Sequence, residues 1–417
     1  MKTFADFITE QAVKNLHLEH IEDEVFNNGI VGARESINFV QSLRDMLSGS
    51  SNSSVDVTVK FDGAPAIFVG TDPSDGEFFV GTKGVFNKNP KLIKRPTDIA
   101  RFGYSGQLAE KLLISFVELK KLGIKNVLQG DMMYTSKDLD SIVVDGEQYI
   151  SFQPNTIVYA VPKRSEMARK ILKSKIGIVF HTTYNGASLE EMSAEFGADI
   201  SGLNEIDSVW FSNAEYNDKS GTITFTKQET SVITGFLSNA GKAFRKVKSA
   251  ELKNFLEFQE SLPSGVAGIK IKTYLNSLIR QGTSITGVKD HVSNYVQYVT
   301  DYAETKTIGK VKTEKAKKAK TEQRDQIIAN IKQNERTILA VMEIYANLTY
   351  SKEMILNKLD TGVRLFPNTF IKTDSGYKVV NDEGYVAIDK MKGNAVKLID
   401  RLEFSYNNFN GIKNWDK

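Results

Sequence analysis

From Val55 to Asp62 the chain alternates strictly, with Val55, Val57, Val59 and Phe61 apolar and Asp56, Thr58, Lys60 and Asp62 polar. A period of two fits a strand with one buried face and does not fit a helix, whose apolar positions recur every three or four residues. Lys60 and Asp62 then share the second face, about 7 Å apart along the strand. Gly63 and Pro65 end the run with turn chemistry. A lysine beside a carboxylate at the mouth of a buried strand can act as a covalent nucleophile, once desolvation or a neighbouring cation strips its proton. Lys60-Phe61-Asp62-Gly63 also suits a half-buried strand with a solvated lysine, so the rest of the chain must decide.

Composition removes several chemistries. The 417 residues contain no cysteine, which excludes disulfides, thiol catalysis and thiolate metal sites. Four histidines (His17, His20, His181 and His291) speak against a histidine-built zinc centre. The formal net charge is +3, so nucleic-acid binding would have to come from local patches. No apolar run is long enough to span a membrane and acidic residues come early, so no membrane partner, no signal peptide and a cytoplasmic location are expected. A chain of this length is expected to form roughly two or three domains.

Taken in order, residues 1–48 carry helical spacing, first through Phe4, Phe7, Ile8, Val13, Leu16 and Leu18, then through Ile37, Val40, Leu43 and Leu47. His17 and His20, three apart with acids nearby, suit a phosphate or metal contact or a hydrogen-bonded helix end. Strands are expected at 55–61, 65–70 and 77–82, the last two joined by the turn Asp72-Pro73-Ser74-Asp75-Gly76. The loop that follows, Thr82-Lys83-Gly84-Val85-Phe86-Asn87-Lys88 with Lys91, Lys94 and Arg95 beyond it, suits phosphates or a solvated surface. An amphipathic helix at 105–122 precedes strands at 127–134, 148–153, 156–161 and 176–182. Residues 231–350 turn helical, with Ile327, Ile331, Ile338, Val341, Tyr345 and Leu348 lying along one long helix. Residues 306–324 hold eight Lys or Arg against two acids, the pattern of a solvated helix face, a linker or a nucleic-acid footprint. Strand character returns at 377–380, then a turn at Asn381-Asp382, then 383–389 and 395–401. It reads as the sheet of residues 55–184 being closed after a helical insertion.

These motifs carry a resemblance. Lys60-Phe61-Asp62-Gly63 resembles the nucleotide-accepting motif of the covalent nucleotidyltransferases: ATP-dependent DNA ligases, RNA ligases and mRNA capping enzymes. Gln129-Gly130-Asp131 is similar to the family's third motif, with aspartate where glutamate is usual. Ile178-Val179-Phe180-His181 resembles the motif whose aromatic stacks on the base, with His181 in place of an acid. Glu383-Gly384-Tyr385-Val386 matches the fourth motif, and Lys397 is placed like the fifth-motif lysine. Gly268-Ile269-Lys270-Ile271-Lys272 competes for the fifth place but has no Glu-Gly strand just upstream. The family's arginine for ribose and 5′-phosphate has Lys83 as its counterpart. The opening Met1-Lys2-Thr3-Phe4 and the stretch His17-Leu18-Glu19-His20 resemble phage proteins.

The resemblance implies an α+β fold: an antiparallel-sheet nucleotidyltransferase (ATP-grasp-like ligase) domain with a large helical insertion and no C-terminal OB domain. Its layout would be an N-terminal helical segment (1–50), the first part of the nucleotidyltransferase domain (51–230), the insertion with a nucleic-acid-binding role (231–350) and the closing strands (351–417). It implies a phage-type ATP-dependent polynucleotide ligase, acting in the host cytoplasm as a monomer on RNA or DNA ends or nicks, with RNA favoured. Lys60 would carry the nucleotide. Lys397 and Lys83 would neutralise charge at the α-phosphate, Asp131 and Glu383 would hold Mg²⁺ (or Mn²⁺), and Phe180 would stack on the base. Asp62 and Gly63 would complete the nucleotide site, Asp62 by holding the ribose or orienting Lys60. Two alternatives stand beside it: a GTP-dependent capping guanylyltransferase, and a non-catalytic nucleic-acid-binding or virion protein on the same fold.

Overall fold

The computed structural model describes residues 18–49, 55–216, 223–285, 288–362, 364–389 and 394–410. Helix α1 (Gly29–Leu47) precedes strands β1 (Val55–Lys60), β2 (Ala66–Thr71) and β3 (Phe78–Gly81). Helix α2 (Gly106–Leu119) leads into β4 (Val127–Thr135), β5 (Asp140–Val144), β6 (Glu147–Phe152), β7 (Val158–Pro162), β8 (Ile176–Asn185), β9 (Ser193–Phe196) and β10 (Val209–Asn213). The longer helices that follow are α3 (Lys227–Lys246), α4 (Ser249–Ser261), α5 (Ile271–Arg280), α6 (His291–Tyr302), α7 (Glu314–Gln333) and α8 (Glu335–Leu359). Strands β11 (Asn368–Thr373), β12 (Gly376–Val379), β13 (Gly384–Asp389) and β14 (Asn394–Leu398) come last. The fold class is α+β.

Three sheets form, in the orders β1-β13-β14, β10-β8-β4-β2-β3 with β9 added on β8, and β12-β11-β7-β6-β5. The β8–β10 pair is parallel and the other pairs are antiparallel. The first sheet joins distant sequence: β1 lies against β13 with Lys60 opposite Gly384, and β13 lies against β14 with Val386 opposite Lys397. Its alternation does what a period of two requires. Val55, Tyr385, Ala387 and Leu398 face a large helical core that includes Phe39 and Leu43 of α1 and Ile338, Val341 and Tyr345 of α8. Thr58, Lys60, Val386 and Lys397 therefore project from the other face. In the second sheet, Ile67, Leu128, Met132, Ile178 and Phe180 pack beneath Leu112, Phe116 and Leu119 of α2. Gly123, at φ 72°, lets the chain leave that helical segment through the left-handed region.

Three local expectations are corrected. The long helix is two helices, α7 and α8, because Asn334 leaves helical geometry (φ −99°, ψ 12°) while its side-chain amide donates to the Asn330 carbonyl at 2.8 Å. Asn381-Asp382 is a crossing between sheets rather than a hairpin turn, since β12 and β13 belong to different sheets. The Arg364 guanidinium holds the crossing through the Asn381 side chain. The last strand stops at Leu398, and residues 401–405 form a wide helical turn capped by Asp400. Strands β5, β9, β10 and β11 have no counterpart among the strands that alternation predicts.

Candidate active site

The front of the first sheet and the second sheet enclose a cleft of about 370 Å³, lined by Thr58, Lys60, Gln129, Asp131, His181, Thr182, Tyr184, Phe196, Glu383 and Lys397 among others. Lys60 donates to Glu383 at 2.6 Å. The register explains the meeting: Gly384 sits opposite Lys60, so the residue before it arrives beside the ammonium. Glycine is required at 384, where a Cβ would stand 2.2 Å from the Leu398 carbonyl oxygen at φ 147°. Asp131 reaches the cleft because β4 alternates, with Gln129 and Asp131 on the open side and Leu128 and Met132 in the core. Gly63 permits this approach, since a Cβ there would lie 2.5 Å from the Asp131 Cβ.

A bulge in β8 supplies the fourth polar side chain. Gln129 pairs with Thr182 while the next residue, Gly130, pairs with Phe180, leaving His181 as the extra residue. A bulge re-aims side chains: Phe180 turns to the core, and His181 and Thr182 both line the cleft. The His181 ring bonds Thr182 through Nδ1 at 2.8 Å and brings Nε2 to 3.8 Å from Asp131.

Charge is crowded here. Burial raises the Glu383 carboxyl to about 7, against the pull of Lys60. Burial likewise raises Asp131 to about 7, with Lys60 opposing and Asp62 adding to the rise. Burial alone would lower the Lys60 ammonium, but Glu383 and Asp131 outweigh it and hold it above its ordinary range. His181 falls to about 4 through burial and the nearby Lys60 charge, so at neutral pH it is an uncharged imidazole. Burial also lowers Lys397, a trend to which Lys60 adds and which Glu19 opposes. Lys60 is therefore a charged lysine at rest, with Glu383 and Asp131 beside it.

The other expected residues lie elsewhere. Asp62 is buried and accepts from the Asn155 side chain at 2.6 Å and from the Thr156 and Ile157 backbone at 2.6 and 2.9 Å. It pins the 155–157 loop and does not line the cleft. Phe180 has no exposed surface, and a ring sealed in the core has no face to offer a base. The aromatics lining the cleft are Phe61, Tyr184 and Phe196. Lys83 lines a different, open cleft with Lys91 and Tyr104. Lys270 pairs with Glu260 at 3.1 Å and Lys272 reaches Asn27 at 2.6 Å, so Lys397 is the fifth-motif candidate that shares the cleft with Lys60. His20 is bridged to Lys397, and burial, then Arg401, lowers its pKa well below the ordinary value. His17 lies outside the described residues. Gln129 of the same motif also lines the cleft, as its spacing from Asp131 puts both on one strand face. Phe196 carries no such signal.

Among the described residues no group of three or more His, Asp or Glu side chains is arranged to hold a metal. Asp131 and Glu383 nevertheless fit Mg²⁺, which commonly takes one or two carboxylates and fills its shell with water and phosphate oxygens. Burial, and to a lesser degree neighbouring carboxylates, raise their pKa values, and a bound cation would favour their charged forms.

No curated protein and no solved structure matches the chain. A family model described as a family of unknown function, DUF6267, matches residues 15–413, and the chain belongs to that family.

Proposed function

We propose that the protein is a covalent nucleotidyltransferase on a nucleotidyltransferase (ATP-grasp-like) fold, and within that class an ATP-dependent polynucleotide ligase working as a monomer in the cytoplasm. One observation carries the reading: a strand-end lysine in contact with a carboxylate, with a second carboxylate and another lysine in the same cleft. In the proposed step Lys60 gives up its proton to solvent, and the charge of Lys397 in the same cleft, with that of Mg²⁺ once bound, would favour the neutral amine by repulsion. The freed amine attacks the α-phosphorus of ATP. An N–P bond forms, the P–O bond to pyrophosphate breaks, and pyrophosphate leaves. A polynucleotide 5′-phosphate then takes the adenylate, and a 3′-hydroxyl displaces AMP. Lys397 is placed to offset charge on the α-phosphate. Mg²⁺ held by Asp131 and Glu383 would supply further charge neutralisation.

The buried Phe180 and the displaced Lys83 favour a second reading, a binding protein without transfer activity. Covalent labelling separates the two. With α-labelled ATP and Mg²⁺, the protein is expected to carry label on a denaturing gel and Lys60→Ala to carry none. Label from GTP alone would move the reading to a capping enzyme. Absence of label from folded, AMP-free protein would leave the binding protein.

A further inference from the structure

From Thr82 to Arg95 the chain carries Lys83, Lys88, Lys91, Lys94 and Arg95 and no acid. Lys94 is committed to Asp72 and Asp75. Lys91 donates to the Phe102 carbonyl at 3.1 Å and stands 5.6 Å from the centre of the Tyr104 ring. Lys83 and Lys88 are exposed, with no ion partner among the described residues. Lys83, Lys91, Asn87, Thr82 and the half-buried Tyr104 line an open cleft of about 380 Å³. The Tyr104 hydroxyl is fixed by Thr82 Oγ1 at 3.0 Å.

This cleft is a neighbour of the Lys60 cleft. Phe86 lines the first and Tyr184 the second, and their rings pack with centroids 5.0 Å apart. In the sheet, Gly81 is opposite Phe68 and Phe68 is opposite Gln129, which puts Gly81, the residue before Thr82 of the first cleft, about 10 Å (two strand spacings) from Gln129 of the second. The lysine-rich stretch at 306–324 is a weaker surface, because Arg324 is paired with Glu304 and Asp325, Lys317 with Glu314, and Glu322 lies between.

We propose that the cleft of Lys83, Lys91 and Tyr104 binds single-stranded nucleic acid, the lysines taking backbone phosphates and Tyr104 the side of a base. A shallow, unsealed site with cations spread beside a ring suits a strand of repeating phosphates and bases better than one small anion. Only the further meaning, that the strand continues over the Phe86–Tyr184 wall to Lys60, rests on the nucleotidyl-transfer reading.

The test is fluorescence anisotropy of labelled single-stranded RNA and DNA oligonucleotides with the full chain, over a range of salt. The double variant Lys83→Glu/Lys91→Glu is expected to bind about tenfold more weakly and to flatten the salt dependence by about 1.4 in log–log slope, two released counterions' worth. Lys315→Glu/Lys318→Glu is expected to bind as the parent does. Unchanged binding in the loop variant overturns the proposal. Loss in the helix variant instead overturns it and moves the strand to α7. Displacement by inorganic phosphate at matched ionic strength overturns it as a small-anion site. If transfer fails and this proposal holds, ATP leaves no label while strand binding still depends on the loop. If the converse is true, label forms and the loop variant binds normally.

Discussion

Two lysine–glutamate pairs tie the early part of this chain to its later part, and they behave in opposite ways. Lys352 meets Glu22 at 2.5 Å with side chains 1% and 0% exposed, inside the helical body. Lys60 meets Glu383 at 2.6 Å, but its side chain is 31% exposed to the cleft. Glu22 has a second cation, Arg401, at 3.7 Å. Burial would raise the Glu22 carboxyl, yet Lys352 and Arg401 together hold it below its ordinary value. Burial raises Glu383, and with one close cation against the carboxylates of Asp62 and Asp131 it stays raised. A sealed pair with cations in excess is a fastening. An open pair with carboxylates in excess is a place where a proton can move and a cation or phosphate can settle.

The largest expected effect tests the fastening. Lys352→Met leaves a buried carboxylate with only the more distant Arg401, and should cost about 3–5 kcal/mol in urea unfolding. A loss below 1 kcal/mol, within the usual range for an exposed pair, would erase the distinction.

The pH response should separate the pairs next. Glu22 has a lowered folded pKa, so its contribution is present above the unfolded value of 4.5 and is lost as pH falls. Glu383 has a folded pKa raised from 4.5 to about 7, so the folded state holds its proton more tightly and stability is lost as pH rises through that window. The limit for this group is about 3 kcal/mol. His181, lowered to about 4, acts in the opposite sense as pH rises towards its unfolded value of 6.5. It is present in parent and variant alike, so their difference reports Glu383. Glu383→Gln should therefore lose less stability between pH 5 and pH 8 than the parent, by urea midpoints. Equal losses would show that Glu383 titrates normally.

The smallest effect is the stability of Lys60→Ala. Glu383 can take up a proton near neutrality when its partner goes, so the change should stay within about 1 kcal/mol even if labelling is abolished. A loss as large as that of Lys352→Met would make Lys60 a structural lysine.

Much of the first sheet could be read from residues alone, because a period of two and the Glu383-Gly384 step are local signals of facing and close approach. The Gln129-Gly130-Asp131 spacing shows which side chains share a strand face. Phe180 misled because one bulged residue, His181, reverses which side chains reach the cleft, and periodicity does not reveal an insertion in register. Lys83 misled because sequence proximity to β1 says nothing of the Phe86–Tyr184 wall between the clefts. The Lys352–Glu22 pair had no sequence signature: its members are 330 positions apart, and a single lysine in an apolar helix face looks like any other.

The separation between Lys60 and Glu383 also sets a schedule. They stand 323 positions apart and are hydrogen-bonded neighbours in the finished protein. At bacterial-to-eukaryotic synthesis rates, roughly 15–60 s pass between making the first and making the second. During that interval β1 has neither of its closing strands, and a nascent chain holds a lysine with no opposing carboxylate. The cleft is thus among the last features of the molecule to exist, and a ribosome stalled before residue 383 would release a helical body in which Lys60 lacks Glu383.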